Sequence, residues 1–274
     1  MPDRPFVSLT TDFGASYTAI CAGVIYSITP SANVLVLSDE VTPYAVVEGA
    51  MLLRQALPYL PVGVHVGIVD PGVGTSRRPV AVVTGRGDVL VGPDNGLLPP
   101  AAEVLGGAVH AYELVEPAYR LPEVSTSFHG RDVFSPAAAH LAAGLDPAAL
   151  GPRVAPADLL PFAPPPAARS GDRLTASVMY VDRFGSLVLG ARREDLPAAE
   201  YGAPLEVAWT APDGAPRSVR APFAETFGAV PKGEPLLWVD SSGWLGFAVN
   251  QGSAADRYGL DAEAVLTIRP LPQE

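Results

Sequence analysis

The chain has 274 residues, of which 48% are hydrophobic and 17% charged, and its formal net charge is -11 at pH 7. This composition is typical of a folded globular protein and argues against a disordered one. The negative charge argues against nucleic acid and anionic membranes as partners, because both repel an acidic protein. The single cysteine, Cys21, excludes an intrachain disulfide and a cysteine metal cluster. The sequence shows no signal peptide and no apolar run of membrane-spanning length, so we expect a cytoplasmic protein.

Residues 1–160 alternate between short apolar runs and segments with helical spacing. The predicted strands are 6–11, 34–37, 65–69, 80–83, 89–91 and 109–114, and the predicted helices are 17–28, 46–57 and 131–143. Strands that alternate with helices predict an α/β domain whose sheet is mostly parallel and covered by helices on both faces.

The composition changes at residues 161–172, a proline-rich stretch that we interpret as a semi-rigid linker. From residue 173 to 274 helical spacing largely disappears, and short apolar runs are separated by turn signals such as Pro212-Asp213-Gly214. This pattern predicts a second, smaller all-β domain, either a barrel or a sandwich.

The most informative stretch is 66–83, in which a valine-rich strand ends at Asp70-Pro71-Gly72 and leads to the paired arginines Arg77 and Arg78. Ligands of open α/β sheets bind beyond the carboxyl ends of the strands, so a carboxylate at this place suits a functional role. The alternative is that Asp70 only caps the turn and that the arginines are solvated.

Other polar residues follow predicted strands or precede a helix: Asp12, the pair Asp94-Asn95, and the segment 127–132. Its His129 has an unperturbed pKa near ~6.5, which suits proton handling, and we expect it to converge with Asp70 and Arg77. Asp132 is more simply interpreted as a helix N-terminal charge. A metal site of Asp70, His129 and Asp132 is conceivable, although no short ligand spacing supports it. The glycines at 72 and 74 match neither a P-loop nor a dinucleotide fingerprint.

Several motifs together resemble one family. In chain order they are TDFG (11–14), VDPGVGTSRR (69–78), VGPDNGLL (91–98) and FHGRDVFSPAAAHLAAG (128–144), and DRFG (182–185) with SSGWLGFAVNQGSAA (241–255) extends the similarity into the second domain. They resemble the S-adenosyl-L-methionine hydroxide adenosyltransferases, which are related to the fluorinase and chlorinase.

The resemblance implies a Rossmann-like α/β domain joined to a β-barrel domain, in a homotrimer with sites between neighbouring subunits. The implied reaction converts S-adenosylmethionine and water to adenosine and L-methionine, with a small molecule as substrate and with no cofactor or metal. The family's set of residues around the attacking water falls on Asp70, Arg77 and His129.

The resemblance also assigns substrate contacts. Asp12 matches the acid that binds the ribose diol, Phe184 the aromatic that packs on adenine, and Asp182 the acid near the methionine ammonium. The remaining positions implied to bind substrate are Phe13, Tyr44, Asn95, Gly130, Ser186, Ser241, Ser242, Asn250 and Gln251. Ser186 stands where the family's turn motif commonly has asparagine, and Ser242 stands where the halogenases have arginine.

Two alternatives stay open at this point. One is a halogenase of the same fold, and the other is a non-catalytic sensor that binds adenosine or S-adenosylmethionine. The set of Asp70, Arg77 and His129 argues against the sensor, because binding alone would not need it.

Overall fold

The computed structural model describes residues 5–165, 167–196 and 199–272. Two predictions touch residues outside these ranges. The absence of a signal peptide concerns segment 1–4, and the predicted linker includes Pro166. The chain divides into two compact units, one ending at Ala163 and the other beginning at Pro164. Among the described residues, no helix has the length and apolar character needed to cross a membrane.

Seven strands of the first unit form one sheet. They are β1 (Phe6–Thr11), β2 (Asn33–Ser38), β3 (Val64–Ile68), β4 (Pro79–Thr84), β5 (Val89–Pro93), β6 (Ala108–Glu113) and β7 (Arg153–Val154). Their order is β2-β1-β3-β5-β4-β6-β7. The pairings among β2, β1, β3 and β5 are parallel, and those of β4, β6 and β7 are antiparallel.

The sheet is therefore mixed, whereas the alternating pattern predicted a mostly parallel one. The cause is the connection between β4 and β5, which is only residues 85–88 and turns at Gly87 with φ +99°. A parallel crossover needs a dozen or more residues, so these two strands can only pair antiparallel.

Helices cover both faces of this sheet: α1 (Gly14–Ile28), α2 (Val46–Ala56), α3 (Pro99–Val104) and α4 (Ser135–Ala142). Along β4, Ala81 packs into the core cluster that contains residues of α1 and α4, whereas Val80 and Val82 pack into the cluster of α2 and α3. This alternation follows from the period of two in a strand and produces two apolar layers.

The helix predicted over 131–143 begins differently in the structure. Gly130–Phe134 form a π-helical turn, and the α-helical part starts only at Ser135, whose Oγ donates to the Gly130 carbonyl over 2.7 Å. A single extra residue in a turn leaves little trace in apolar spacing, so the sequence did not reveal it. Such π turns are frequent at functional sites, and His129 directly precedes this one.

In its described residues, the second unit contains an eight-stranded antiparallel sheet and one short α-helix, α5 (Ala254–Tyr258). Its strands are β8 (Ala167–Ser170), β9 (Arg173–Val181), β10 (Leu187–Arg192), β11 (Pro204–Thr210), β12 (Pro216–Pro222), β13 (Pro235–Val239), β14 (Trp244–Val249) and β15 (Val265–Pro270). The order is β12-β11-β15-β9-β10-β14-β13, with β8 on β9. The Ala224 amide donates to the Leu237 carbonyl over 2.7 Å, so the two ends approach and the sheet nearly closes into a barrel.

Strand β8 lies inside the stretch that we interpreted as a linker. It pairs with β9 around Gly171, whose φ of +62° suits a tight turn. The strand is exposed along its whole length, so no apolar alternation marks it in the sequence.

Candidate active site

The carboxyl ends of three adjacent parallel strands place polar side chains at one edge of the first sheet. Asp12 follows β1, Asp70 follows β3 and Asn95 follows β5. The Asn95 amide donates to the Val69 carbonyl over 2.8 Å, which ties the ends of β3 and β5 together. Topology therefore brings these residues to the edge at which open α/β sheets bind ligands.

Arg77 is in direct contact with both Asp70 and His129, and the three residues converge as expected from the sequence. Arg77 Nε donates to both carboxylate oxygens of Asp70, over 2.9 and 3.0 Å, and Arg77 Nη2 also contacts Asp70 Oδ2. The same Nη2 lies 3.1 Å from His129 Nδ1. The guanidinium thus bridges a carboxylate and an imidazole that are 59 residues apart in the sequence.

Arg77 is almost completely buried, with 8% of its side chain exposed, and Asp70 has 6% exposed. The guanidinium lies 5.1 Å from the centroid of the Phe134 ring, and its Nη1 is buried without a hydrogen-bond partner. A buried donor without a partner costs about 1–3 kcal/mol. An unpartnered donor such as Arg77 Nη1 is typical of a site that binds a polar ligand.

The electrostatics favour a neutral His129. Burial lowers the pKa of the imidazole below its usual value near 6.5, and the Arg77 guanidinium lowers it further, while Asp70 opposes the shift. Because Arg77 Nη2 can only donate, the contact requires an unprotonated Nδ1. The proton of the neutral imidazole therefore resides on Nε2.

The loop that carries Arg77 packs directly on the loop that precedes His129. At Gly74, whose φ is +77°, an added Cβ would lie 2.3 Å from the Thr126 carbonyl oxygen. Only glycine permits both this backbone conformation and this close approach. The contact holds the loops that carry Arg77 and His129 at a fixed distance.

Aromatic rings surround the predicted substrate-binding residue Gly130, which is buried. A Cβ at this position would lie 3.3 Å from Ile68 and Phe128 and 3.4 Å from Phe13. The Phe13, Phe128 and Tyr17 rings pack edge to face, with centroids 5.5–6.4 Å apart. They line a cavity of about 400 Å³ beside Gly130.

Asp12 and Tyr44, two further predicted substrate-binding residues, are also in contact. The Tyr44 amide donates to Asp12 Oδ2 over 2.8 Å. Tyr44 has a φ of +69°, which is uncommon for a residue other than glycine, and its side chain is largely exposed. Among the described residues, the second oxygen of Asp12 accepts no hydrogen bond.

Arg78 and Asp94 form a separate structural pair. Arg78 Nε donates to Asp94 Oδ2 over 3.0 Å, and the Leu160 amide donates to Asp94 Oδ1 over 2.8 Å. This pair fastens segment 158–160 to the end of β5, so the structure distinguishes the two neighbouring arginines that the sequence presents side by side.

In the second unit, the turn between β9 and β10 holds three predicted residues. Asp182 Oδ1 accepts from the amides of Phe184 and Ser186, each over 2.8 Å, which leaves Oδ2 of the carboxylate outside these turn bonds. The Phe184 side chain is 80% exposed. A cavity of about 600 Å³ is lined by Phe184, Ser186, Phe227, Val249, Asn250, Gln251, Gly252 and Ser253.

The other predicted residues of this unit have mainly structural bonds. Asn250 Nδ2 donates to the Val230 carbonyl over 2.8 Å, and Gln251 has a left-handed φ of +54°. The turn between β13 and β14 comprises residues 240–243 and so contains both Ser241 and Ser242. In it, the Ser242 amide donates to Asp240 Oδ1. The Ser242 carbonyl accepts from Arg192 Nη1 over 2.8 Å.

Sequence reasoning missed Tyr17 and Phe128 as cavity-lining residues. Asp132 lies in the first turn of the π-helical segment, in agreement with its interpretation as a helix N-terminal charge. Its side chain is in addition fully buried and bonded to Arg131 and to the Ser125 amide. The sequence indicates this burial of Asp132 only weakly, through an acid placed next to an arginine in a glycine-containing segment. Among the described residues, no three His, Cys, Asp or Glu side chains are grouped as a metal site would require.

Comparison with known proteins identifies the relatives of this chain. Residues 7–151 match the model of the SAM hydroxide adenosyltransferase N-terminal domain, and residues 176–267 match that of its C-terminal domain. The chain is 43% identical to a protein named (R)-S-adenosyl-L-methionine hydrolase from Salinispora tropica, over 95% of this chain and 96% of that one. It is 27% identical to a fluorinase from an Actinoplanes species, over 97% of both chains.

Solved structures agree with these matches. The crystal structure of an uncharacterized conserved protein from Thermotoga maritima superposes with a TM-score of 0.83 at 29% identity, and covers 96% of this chain and 99% of that one. The resemblance read from the motifs is thereby confirmed over nearly the whole sequence. The chain belongs to the SAM hydroxide adenosyltransferase family.

Proposed function

We propose that this protein hydrolyses (R)-S-adenosyl-L-methionine to adenosine and L-methionine. Family membership and the names of the related hydrolases support an enzyme of this class. The single observation that carries the proposal is the buried contact of Asp70, Arg77 and His129, with an unpartnered Arg77 Nη1. The (R) configuration at sulfur is taken from the name of the Salinispora relative.

The proposed chemistry is an in-line displacement at the ribose C5′. A water oxygen forms the new bond to C5′ while the C5′–S bond breaks. The electron pair of the C5′–S bond stays on sulfur, which leaves as the neutral thioether of methionine. The water loses one proton, which is released to solvent, so that the positive charge of the sulfonium is balanced by the proton on the product side. Because a sulfonium is already a good leaving group, the enzyme needs to act mainly on the nucleophile, and fixing it in line can supply several kcal/mol.

The three residues have complementary proposed roles at the water. Arg77 Nη1 and the Nε2–H of His129 donate to the oxygen, which stabilises hydroxide character as the proton leaves. Asp70 accepts from the water and balances the guanidinium charge. This chemistry requires no metal and no cofactor, and we propose none.

The substrate contacts follow the family assignment. We propose that the free oxygen of Asp12 binds the ribose diol, with Phe13, Tyr44, Asn95 and Gly130 around it. In the second unit, the cavity beside Phe184 is proposed to receive adenine, with Ser186, Asn250 and Gln251 at its edge. Asp182 Oδ2 is proposed to meet the methionine ammonium, and Ser241 and Ser242 its carboxylate.

Finer features of the fold belong to the same proposal. The parallel half of the first sheet supports a Rossmann-like nucleoside-binding domain, and the nearly closed antiparallel sheet supports a β-barrel domain. The family resemblance supports assembly as a homotrimer.

The halogenase of the same fold is the second candidate, and the related fluorinase supports it. The chemistry at Asp70 disfavours it, because a carboxylate about 4 Å from a halide repels it by about 4 kcal/mol at an effective dielectric near 20. The bonded Arg77 cancels much of this repulsion but leaves a neutral pair, which offers an anion little net attraction. Neutral water gains a hydrogen-bond acceptor there.

The deciding experiment incubates the purified protein separately with the (R) and (S) epimers of S-adenosylmethionine. Adenosine and methionine are then measured by chromatography, with His129→Ala as the control. We expect equal amounts of both products from the (R) epimer and far less from the variant. Tight binding without turnover of either epimer would favour a sensor, and turnover of the (S) epimer alone would contradict the stereochemical assignment.

A further inference from the structure

Asp132 is a fully buried carboxylate with a complete set of donors. Arg131 Nε donates to its Oδ1 over 2.6 Å, and Arg131 Nη2 and the Ser125 amide donate to its Oδ2 over 3.0 and 2.8 Å. Burying a carboxylate is expensive unless it is paired and hydrogen-bonded. A residue that only complemented a helix dipole would need none of this.

The position of Asp132 explains what the bonds hold. It lies three residues after His129 on the π-helical turn, and its backbone carbonyl accepts from the Leu121 amide over 2.9 Å. One residue therefore fastens the 121–128 loop at two points, Leu121 and Ser125. The next residue of that loop, Thr126, is the one that packs against Gly74 in the loop carrying Arg77.

We propose that Asp132 is a positioning residue, which holds the 121–128 loop to the π-helical turn and thereby fixes His129 Nδ1 against the Arg77 guanidinium. Its expected effect on turnover rests on the proposed function. The location of His129, however, is a property of the protein alone and can be measured without substrate.

A positioning role and a purely electrostatic role make opposite predictions for His129. The charged groups that act on its imidazole are Arg77, Asp70, Arg120 and Asp132. Burial and Arg77 lower its pKa most, whereas the Asp132 charge raises it slightly. If His129 leaves its place, its pKa rises toward the ordinary value; if only the Asp132 charge is lost, the pKa falls further.

The first test is Asp132→Asn in the full chain, because the amide has one acceptor oxygen where the carboxylate has two, so it cannot accept from Arg131 Nε, Arg131 Nη2 and the Ser125 amide at once. We expect kcat to fall at least about tenfold while KM stays within about threefold. In an imidazole NMR titration we expect the His129 pKa to rise. Asp146→Asn, which alters an exposed aspartate that accepts from the Ala148 amide, is the matched control and should leave both quantities unchanged.

A second pair of variants decides the question if Asp132→Asn fails to fold. Ser125→Pro removes the amide that binds Asp132 on an exposed loop, and Ser125→Ala keeps that amide. We expect the proline variant, and not the alanine variant, to lower kcat and to raise the His129 pKa.

Unchanged kcat and His129 pKa in Asp132→Asn, or in Ser125→Pro should the former not fold, would overturn the proposal. So would a further fall of that pKa in Asp132→Asn. If the unmodified protein hydrolyses neither epimer, the proposed function falls instead. The NMR titration then decides the positioning role by itself.

Discussion

At the scale of the residue, Arg77 and Arg78 are neighbours in the sequence but differ in their contacts. Arg77 is buried, joins Asp70 to His129 and has a donor without a partner. Arg78 is bonded to Asp94 and to the carbonyl of Asp158. Strand and loop patterns alone do not distinguish these two arginines, whereas the family resemblance assigns Arg77, which is the one that contacts Asp70 and His129.

We expect Arg77→Ala and His129→Ala each to lower kcat at least about tenfold, since each removes a group at the attacking water. Adenosine affinity, measured by calorimetry, should change little in either variant. Arg78→Ala is the matched control, with an altered thermal midpoint but nearly unchanged kcat. Wild-type turnover in either test variant would contradict the assignment.

The rate should also depend on pH through His129. Because its pKa lies below 6.5, the imidazole is neutral at pH 7, and kcat should fall only as the pH drops below that pKa. Protonation there places an N–H of Nδ1 against the donor Nη2 of Arg77 and breaks their bond. A pH profile of kcat checks this, with His140→Asn as a control that retains the acid limb. If the acid limb of the kcat profile shifts in His140→Asn, the titrating group is His140 and not His129.

At the scale of the element, apolar spacing located most helices and strands of the first unit but not their pairing. The run 80–83 is a strand as predicted, yet its short turn to β5 makes the sheet mixed. The π-helical turn at Gly130–Phe134 and the exposed strand β8 also escaped prediction. Apolar spacing shows only which face of an element is buried. The π-helical turn and strand β8 do not alter that spacing, so it could not reveal them.

The candidate site was accessible from sequence because its residues lie at strand ends and in motifs. Asp70 follows a strand and His129 precedes a helix, so topology alone suggests that they meet. The contact of Gly74 with Thr126 could not be predicted, because it depends on how two irregular loops lie on each other.

This loop contact gives an element-scale prediction. Gly74→Ala adds a Cβ that meets the Thr126 carbonyl at 2.3 Å, at a φ of +77°. It should separate the two loops and lower kcat, besides the ~1–2 kcal/mol that a left-handed alanine costs in stability. Gly171→Ala is the matched control, with φ +62° but no atom within 4 Å. Both variants should lose stability in thermal unfolding, and only Gly74→Ala should lose turnover; equal kcat in the two would show that the loop contact is irrelevant.

At the scale of the whole molecule, we propose a homotrimer from the family resemblance. Light scattering of the purified protein should give three times the chain mass of 28.4 kDa. A fully active monomer at the same concentration would contradict this proposal.

The central claim is that solvent water attacks the ribose C5′ at Asp70, Arg77 and His129. The most direct measurement is a reaction of (R)-S-adenosylmethionine in ¹⁸O-labelled water with abundant chloride, analysed by mass spectrometry. We expect adenosine that carries the heavy oxygen at its 5′ position as the only nucleoside product. Chlorinated adenosine as the main product, or adenosine without the label, would contradict the hydrolase mechanism.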